Sequence, residues 1–308
     1  MSGSPRHLLG LEGVGATRIV GWLDRAEAFL GGAVSRSLEG KVVAKLFMEP
    51  STRTRLSFET AAHRLGGSVV SAAASASSVS KGETILDTVR NVAALGVEAI
   101  VLRCAASGGA KLAASASAVP VLNGGDGRHE HPTQGLLDLL SLRRSLGDLH
   151  GRRIGIVGDL ANSRVARSGI HGMLALGAVP VLIGPPTLVP PEVAMLGGRP
   201  GTGELERSDD FDAVLPSLDA VVMLRVQRER DAGSAIASDY PRGYRLDRVR
   251  AATLREGAPI LHPGPVNRGF EIAPEVADDP RRSVILRQVA DGVAIRMAVL
   301  EWAMAGDR

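Results

Sequence analysis

The sequence predicts an α/β protein of two domains, each a mostly parallel sheet flanked by helices, with the active site in the interdomain cleft. Three observations carry this. Short apolar runs alternate along almost the whole chain with segments whose apolar residues fall at helical spacing, the pattern of parallel sheets covered by helices. The alternation comes in two series that meet at a long helical segment starting near Pro132. And 308 residues are too many for one domain of common size and comfortable for two.

In order, an amphipathic helix over Ile19–Leu30 precedes a strand at Val42–Phe47, a turn at Glu49–Thr52 and a helix to about Leu65. Strands at Ser68–Ala72, Ala99–Leu102 and Val119–Leu122 are separated by helices near Thr84–Leu95 and Gly109–Ala116. Pro132–Leu146 is a long helix, with Thr133, Leu136, Leu137 and Leu140 at helical spacing. The second series has strands at Arg153–Val157, Val179–Ile183, Ala220–Leu224 and Pro259–Leu261, and Val284–Ala305 is helical with no strand after it. Residues 1–132, joined by a C-terminal helix 287–308, make the first expected domain, and 133–286 the second. Ser71–Ser80 (SAAASASSVS) and Gly197–Gly203 read as mobile surface loops. Ligands in such folds bind at the carboxyl ends of the strands.

Composition excludes several classes. Only 3% of residues are aromatic, which disfavours stacking platforms for single-stranded nucleic acid. The net charge of +3 comes from 36 basic and 33 acidic residues without a run of five or six like charges, so no basic patch for nucleic acid is expected. The single cysteine, Cys104, permits neither an intrachain disulfide nor a cysteine-based zinc site and suits a reducing compartment. No apolar stretch is long enough to span a membrane, and MSGSPRHLLGLEGVG lacks the basic and apolar blocks of a secretory signal. A cytoplasmic protein with neither nucleic-acid nor membrane partners is expected.

The chemistry concentrates in Phe47-Met48-Glu49-Pro50-Ser51-Thr52-Arg53-Thr54-Arg55. A strand ends, hydroxyls mark a helix start, and two arginines fall in the first turn, where their sign opposes the helix dipole. Backbone N–H groups, hydroxyls and a guanidinium at one point suit a phosphate dianion; a capped helix with solvated arginines is the alternative. Neither GxxxxGK[ST] nor a GxGxxG after a strand occurs, so ATP or NAD binding has no support. His129-Glu130-His131 makes a weak metal site without a third ligand, and an isolated His131 would by default be structural.

The segment FMEPSTRTRLSFE closely resembles the carbamoyl-phosphate signature of the aspartate and ornithine carbamoyltransferase family. SKGETILDT (80–88), Leu102-Arg103, HPTQ (131–134), GDLANSRVARS (158–168), RVQRER (225–230) and HPGPVNRG (262–269) follow in the family's order, covering the chain from Arg6-His7-Leu8-Leu9 to the final helix.

The resemblance implies a carbamoyl-phosphate-binding first domain and an aspartate-binding second domain. It places Ser51, Thr52, Arg53, Thr54, Arg103, His131, Gln134, Gly264 and Pro265 around carbamoyl phosphate, and Lys81, Arg164, Arg225 and Gln227 around L-aspartate. Arg53, Thr54, Lys81, Arg103 and His131 would be catalytic, with Thr54, Arg103 and His131 stabilising the oxyanion. Two carboxylates call for forked cations, which suits Arg164 and Arg225. The aspartate branch is favoured over the ornithine branch because ornithine enzymes resemble His-Cys-Leu-Pro where this chain has His262-Pro263-Gly264-Pro265. In the family the serine-rich loop reaches a neighbour's site, so Ser77 and Lys81 are expected to act from the adjacent subunit of a homotrimer. Ser80 departs from relatives that carry a second lysine there. Glu49 is expected to pair with Arg164 or Arg230 across the cleft. No metal and no organic cofactor is expected; regulatory chains or a dihydroorotase-like partner stay open.

Overall fold

The computed structural model describes residues 5–73, 83–197, 204–226 and 239–305. The chain divides into two compact units, Met1–Leu136 with Val289–Arg308, and Leu137–Gln288.

The first unit runs α1 (Ala16–Leu30), β1 (Val42–Phe47), α2 (Thr52–Arg64), β2 (Ser68–Ala73), α3 (Ile85–Ala94), β3 (Ala99–Cys104), α4 (Gly109–Ala116) and β4 (Val121–Asp126). The unit boundary falls inside the next helix, α5 (Pro132–Leu146). The strands form one parallel sheet in the order β2-β1-β3-β4. Val43, Leu46, Phe47, Ile100, Val101 and Leu102 are all buried, as strands covered on both faces must be. Leu46, Ile100 and Leu102 share a core with Val89 of α3, Ala113 of α4 and Val121 of β4. Lys45 interrupts the apolar run of β1. It is itself buried, and its ammonium lies 2.6 Å from the Glu59 carboxylate of α2, because a buried cation needs a partner.

The second unit follows with β5 (Arg153–Val157), α6 (Arg164–Ala175), β6 (Val179–Ile183), β7 (Glu206–Ser208), α7 (Phe211–Val214), β8 (Ala220–Met223), α8 (Tyr240–Tyr244), α9 (Arg248–Thr253), β9 (Ile260–Leu261) and α10 (Pro274–Ala277). Its parallel sheet has the order β7-β6-β5-β8-β9. Val157, Val181, Val221, Met223 and Ile260 pack there with Phe211, Leu246 and Ile272. The last helix, α11 (Ile285–Met304), crosses the unit boundary. Its C-terminal part belongs to the first unit. There Glu301 receives Arg25 through two bonds and Ser35 through one, Lys41 donates to the Met304 carbonyl, and Trp302 meets Trp22 edge to face at 5.0 Å.

Besides the short helices α7–α10, which the sequence reading did not include, three elements differ from it. β4 starts later and continues through Asn123-Gly124-Gly125-Asp126, a polar stretch that holds strand geometry because its side chains bond one another and the following loop. α6, which Arg164 opens, has no counterpart in the sequence reading; its interior glycines Gly169 and Gly172 mask it, and both are buried there. β7 is a polar edge strand without an apolar run. Of the two expected loops, Ser71–Ala73 extends β2, and residues 74–80 and 198–203 lie outside the described residues. Among the described residues no helix is long and apolar enough to cross a membrane.

Strand order locates the binding ends. From β1 the chain passes outward to β2, then returns to the other side for β3 and β4. From β5 it passes to β6 and β7, then returns for β8 and β9. Each sheet thus reverses direction once, between β1 and β3 and between β5 and β8, and a crevice at the carboxyl ends of such a strand pair is where open α/β sheets hold ligands.

Candidate active site

In the first unit, the loop after β1 leads straight into α2. Ser51 caps that helix with extended backbone and no side-chain cap bond. The first helical bond runs from Arg55 N to Ser51 O, 3.2 Å, so the amides of Ser51, Thr52, Arg53 and Thr54 precede the ladder of helix bonds. The first turn holds no acid. An anion is the complement of such an end. Arg53 is exposed as a residue, yet desolvation of its guanidinium draws its pKa below the ordinary arginine value. It stays cationic throughout the physiological range.

Arg103 lies beside this loop in register with Phe47. Its carbonyl accepts from Met48 N at 2.8 Å, Nη1 donates to the Gly124 carbonyl at 3.1 Å, and Nε lies 3.7 Å from Glu49 Oε2. Glu49, expected to meet Arg164 or Arg230, thus has an ion-pair partner within its own unit; Arg230 lies outside the described residues. The pairing follows from register, since Arg103 ends its strand level with the start of the Glu49 turn.

His131 arrives from the β4–α5 loop. Its Nε2 is 3.4 Å from Thr54 Oγ1, both residues are buried, and the backbone N–H of Gln134, also buried, donates to the His131 carbonyl. This placement depends on Asp126, whose carboxylate accepts from Gly108 N (2.9 Å), Asn123 Nδ2 (2.8 Å) and Glu130 N (3.1 Å) and meets His129 Nδ1 (3.2 Å). Glu130 turns the other way and accepts the amides of Leu11 and Glu12. The His129-Glu130-His131 run therefore faces three different neighbours. Ligand-type atoms of Glu12, His129 and Glu130 come within 4.8 Å of one another, but both Glu130 oxygens already hold amides.

In the second unit, Arg164 opens α6 after the loop that leaves β5, and Arg225 follows the neighbouring β8. Gly264 and Pro265 follow β9, the strand beyond β8. Three adjacent parallel strands therefore deliver these residues from the same end of one sheet. Gly158 makes the departure from β5 at φ +127°, in left-handed space. Buried Asp159 then accepts the Asn162 amides, and Ser163 Oγ caps α6 through Ala166 N at 3.1 Å. Leu224 N bonds the Val157 carbonyl at 2.8 Å, tying the exit of β8 to that of β5. Gly264 has φ +63° and precedes a cis Pro265. Ser77, Lys81 and Gln227 lie outside the described residues.

Comparison with known proteins identifies the family. Residues 6–144 match the carbamoyl-P binding domain, and residues 150–303 the Asp/Orn binding domain, of aspartate/ornithine carbamoyltransferase. The chain belongs to this family. It is 50% identical over 300 residues to the aspartate carbamoyltransferase catalytic subunit of Myxococcus xanthus, covering 96% of this chain and 98% of that one. It resembles the crystal structure of Trypanosoma cruzi aspartate transcarbamoylase in complex with carbamoyl phosphate and aspartate, with TM-score 0.83, 29% identity, and 97% and 95% of the two chains covered. Ornithine carbamoyltransferase from Pyrococcus furiosus gives TM-score 0.87 at 29% identity over 100% of both chains.

One residue that organises the loop before α5 escaped sequence reasoning: Asp126 ends an Asn-Gly-Gly-Asp run, whose turn-like composition was the available signal.

Proposed function

We propose that the chain transfers the carbamoyl group of carbamoyl phosphate to the α-amine of L-aspartate, giving N-carbamoyl-L-aspartate and phosphate, the committed step of de novo pyrimidine biosynthesis. The observation that carries the reading is the content of the two strand-reversal points. One holds phosphate-type donors at a helix start; the other holds two arginines, suited to a dicarboxylate, beside a Pro-Gly-Pro segment without a thiol.

In this mechanism Ser51, Thr52, Arg53 and Thr54 hold the phosphate, and Arg103 touches both the phosphate and the carbonyl oxygen. His131 donates to that oxygen, and Gln134, Gly264 and Pro265 receive the carbamoyl amide. Arg164 and Arg225 hold the aspartate carboxylates, with Gln227 and Lys81 beside them. The neutral amine attacks the carbonyl carbon, the C–N bond forms, and the oxyanion develops toward Thr54, Arg103 and His131, each such donor being worth about 2.7–4 kcal/mol in the transition state. The C–O bond to phosphate then breaks, and a phosphate oxygen takes the amine proton. Holding both reactants supplies the proximity term. The chain works as a cytoplasmic homotrimer in which Ser77 and Lys81 serve a neighbour's site.

The likeness to the Pyrococcus ornithine enzyme gives the second reading a specific footing, and one assay separates them. The purified chain is supplied with carbamoyl phosphate and either aspartate or ornithine. Product with aspartate alone is expected, and product with ornithine alone overturns the proposal. Mixing Lys81→Ala with Arg53→Ala subunits should restore activity by forming one intact shared site; no rescue contradicts the trimer assignment.

A further inference from the structure

The Gly264–Pro265 segment is held by a buried device that no quoted motif contains. His262 and Glu271 are fully buried side chains, His262 Nε2 lying 3.1 Å from Glu271 Oε1. The Gly264 N–H donates to His262 Nδ1 at 2.8 Å. An amide N–H can only donate, so Nδ1 carries the lone pair, the ring proton sits on Nε2, and that proton points at Glu271. The same Glu271 oxygen accepts the Asn267 N–H at 2.6 Å. One oxygen thus grips both ends of the 262–267 loop. The Asn267 side chain donates in turn to the Val226 carbonyl at 3.3 Å, one residue after Arg225. From the other side, His262 N donates to Gln288 Oε1 and Gln288 Nε2 to Asp138 Oδ1.

Stability does not account for Glu271. Its second oxygen, Oε2, is buried without a hydrogen-bond partner among the described residues, an expensive arrangement that an apolar side chain would avoid. What the carboxyl supplies is direction: it fixes the histidine tautomer, and the tautomer fixes the Gly264 amide and the peptide planes on either side of it.

We propose that Glu271 is a positioning residue which, through His262, sets the orientation of Gly264 and Pro265 toward the carbamoyl end of the donor. This rests on the reading above, in which these residues receive the carbamoyl amide while the phosphate is held by Ser51–Thr54 and Arg103, all of the other unit. The two ends of the donor therefore respond differently when Glu271 is changed.

The test compares the wild-type chain with Glu271→Ala, Glu271→Gln, His262→Asn and the Glu271→Ala/His262→Asn double variant. It measures kcat and KM for carbamoyl phosphate, and inhibition by inorganic phosphate as a probe of the phosphate end. Glu271→Ala should lower kcat/KM by about 10–100-fold, the scale of a small misplacement of a reacting group, with the phosphate inhibition constant within about twofold of wild type. Glu271→Gln keeps an oxygen where both bonds fall and should recover to within about threefold of wild type. Asparagine at 262 keeps an acceptor for Gly264 N, but its shorter amide NH2 falls short of where Nε2 meets Glu271, so His262→Asn should match Glu271→Ala, and the double variant should add nothing. Phosphate inhibition weakening in step with kcat/KM, Glu271→Gln behaving as Glu271→Ala, or losses that multiply in the double variant would overturn the assignment. If Glu271→Ala does not fold, full activity in His262→Asn overturns it as well. A wild-type chain inactive with aspartate refutes the functional reading instead, whereas an active one with unaffected variants refutes only the positioning role.

Discussion

Replacing Asp126 with alanine tests how His131 is held. The carboxylate gathers four donors, but they do not weigh equally. Asn123 Nδ2 keeps the Leu9 and Glu130 carbonyls as alternative acceptors, and His129 is half-exposed and can turn to water. Two backbone amides lose their acceptor: that of Glu130, which is buried, and that of Gly108, which is partly exposed. At about 1–3 kcal/mol for each stranded donor, with Gly108 at the lower end, the loss comes to about 2–4 kcal/mol. His131 is the residue after Glu130, so the Thr54–His131 contact shifts too, and kcat/KM should fall about 100-fold. Urea unfolding followed by circular dichroism measures the first effect. Steady-state kinetics, at a temperature where the variant is fully folded, measures the second. Asp126→Asn, which keeps one oxygen, should show about half the destabilisation. A stability change under about 0.5 kcal/mol with full activity would refute the claim that this carboxylate organises the loop.

Thr54→Val removes the hydroxyl facing His131 at nearly constant volume; kcat should fall about 100–1000-fold with an unchanged unfolding midpoint, and a tenfold or smaller loss would contradict an oxyanion role. Gly158→Ala places a Cβ in left-handed backbone at φ +127°, 3.2 Å from both Leu224 Cβ and the Tyr240 hydroxyl. Gly151→Ala, at φ +69° with nothing within 4 Å, carries only the backbone strain of about 1–2 kcal/mol, so thermal unfolding should rank Gly158→Ala as clearly the more damaging. Glu59 titrates below its ordinary value of 4.5, chiefly through its hydrogen bond from Lys45. Its folded pKa is thus depressed, and the stabilisation is complete above the unfolded value and lost as pH falls through the folded one. The stability difference between wild type and Glu59→Gln should therefore shrink as pH drops from 7 to below 4, and a difference independent of pH would contradict the pairing.

Much of the fold is legible because strands buried on both faces are mostly apolar: Val179–Ile183, and Val42–Phe47 despite its one lysine, could be bounded from composition. The hydroxyl-arginine run at 51–55 is legible for a different reason, since arginines in the first turn of a helix oppose its dipole and call for an external explanation. What stayed hidden depends on tertiary partners. Asn123-Gly-Gly-Asp126 reads as a turn and becomes a strand only because Asn123 and Asp126 satisfy each other and the loop behind them. The Arg164 helix hides behind two glycines, Gly169 and Gly172, both buried within it. The Glu49–Arg103 contact depends on the register of β1 and β3, and Glu271 acts on a histidine nine residues away that it meets only after the chain has folded.

The last turns of α11 have a consequence for how the chain is made. Arg25 and Ser35 emerge from the ribosome early, yet the carboxylate they share, Glu301, lies 266 residues beyond Ser35. At about 5–20 residues per second the N-terminal unit waits roughly 13–53 s for its closing helix, while every strand of the other unit has already been synthesised. During biosynthesis Trp22 on α1 therefore lacks its edge-to-face partner until Trp302 arrives.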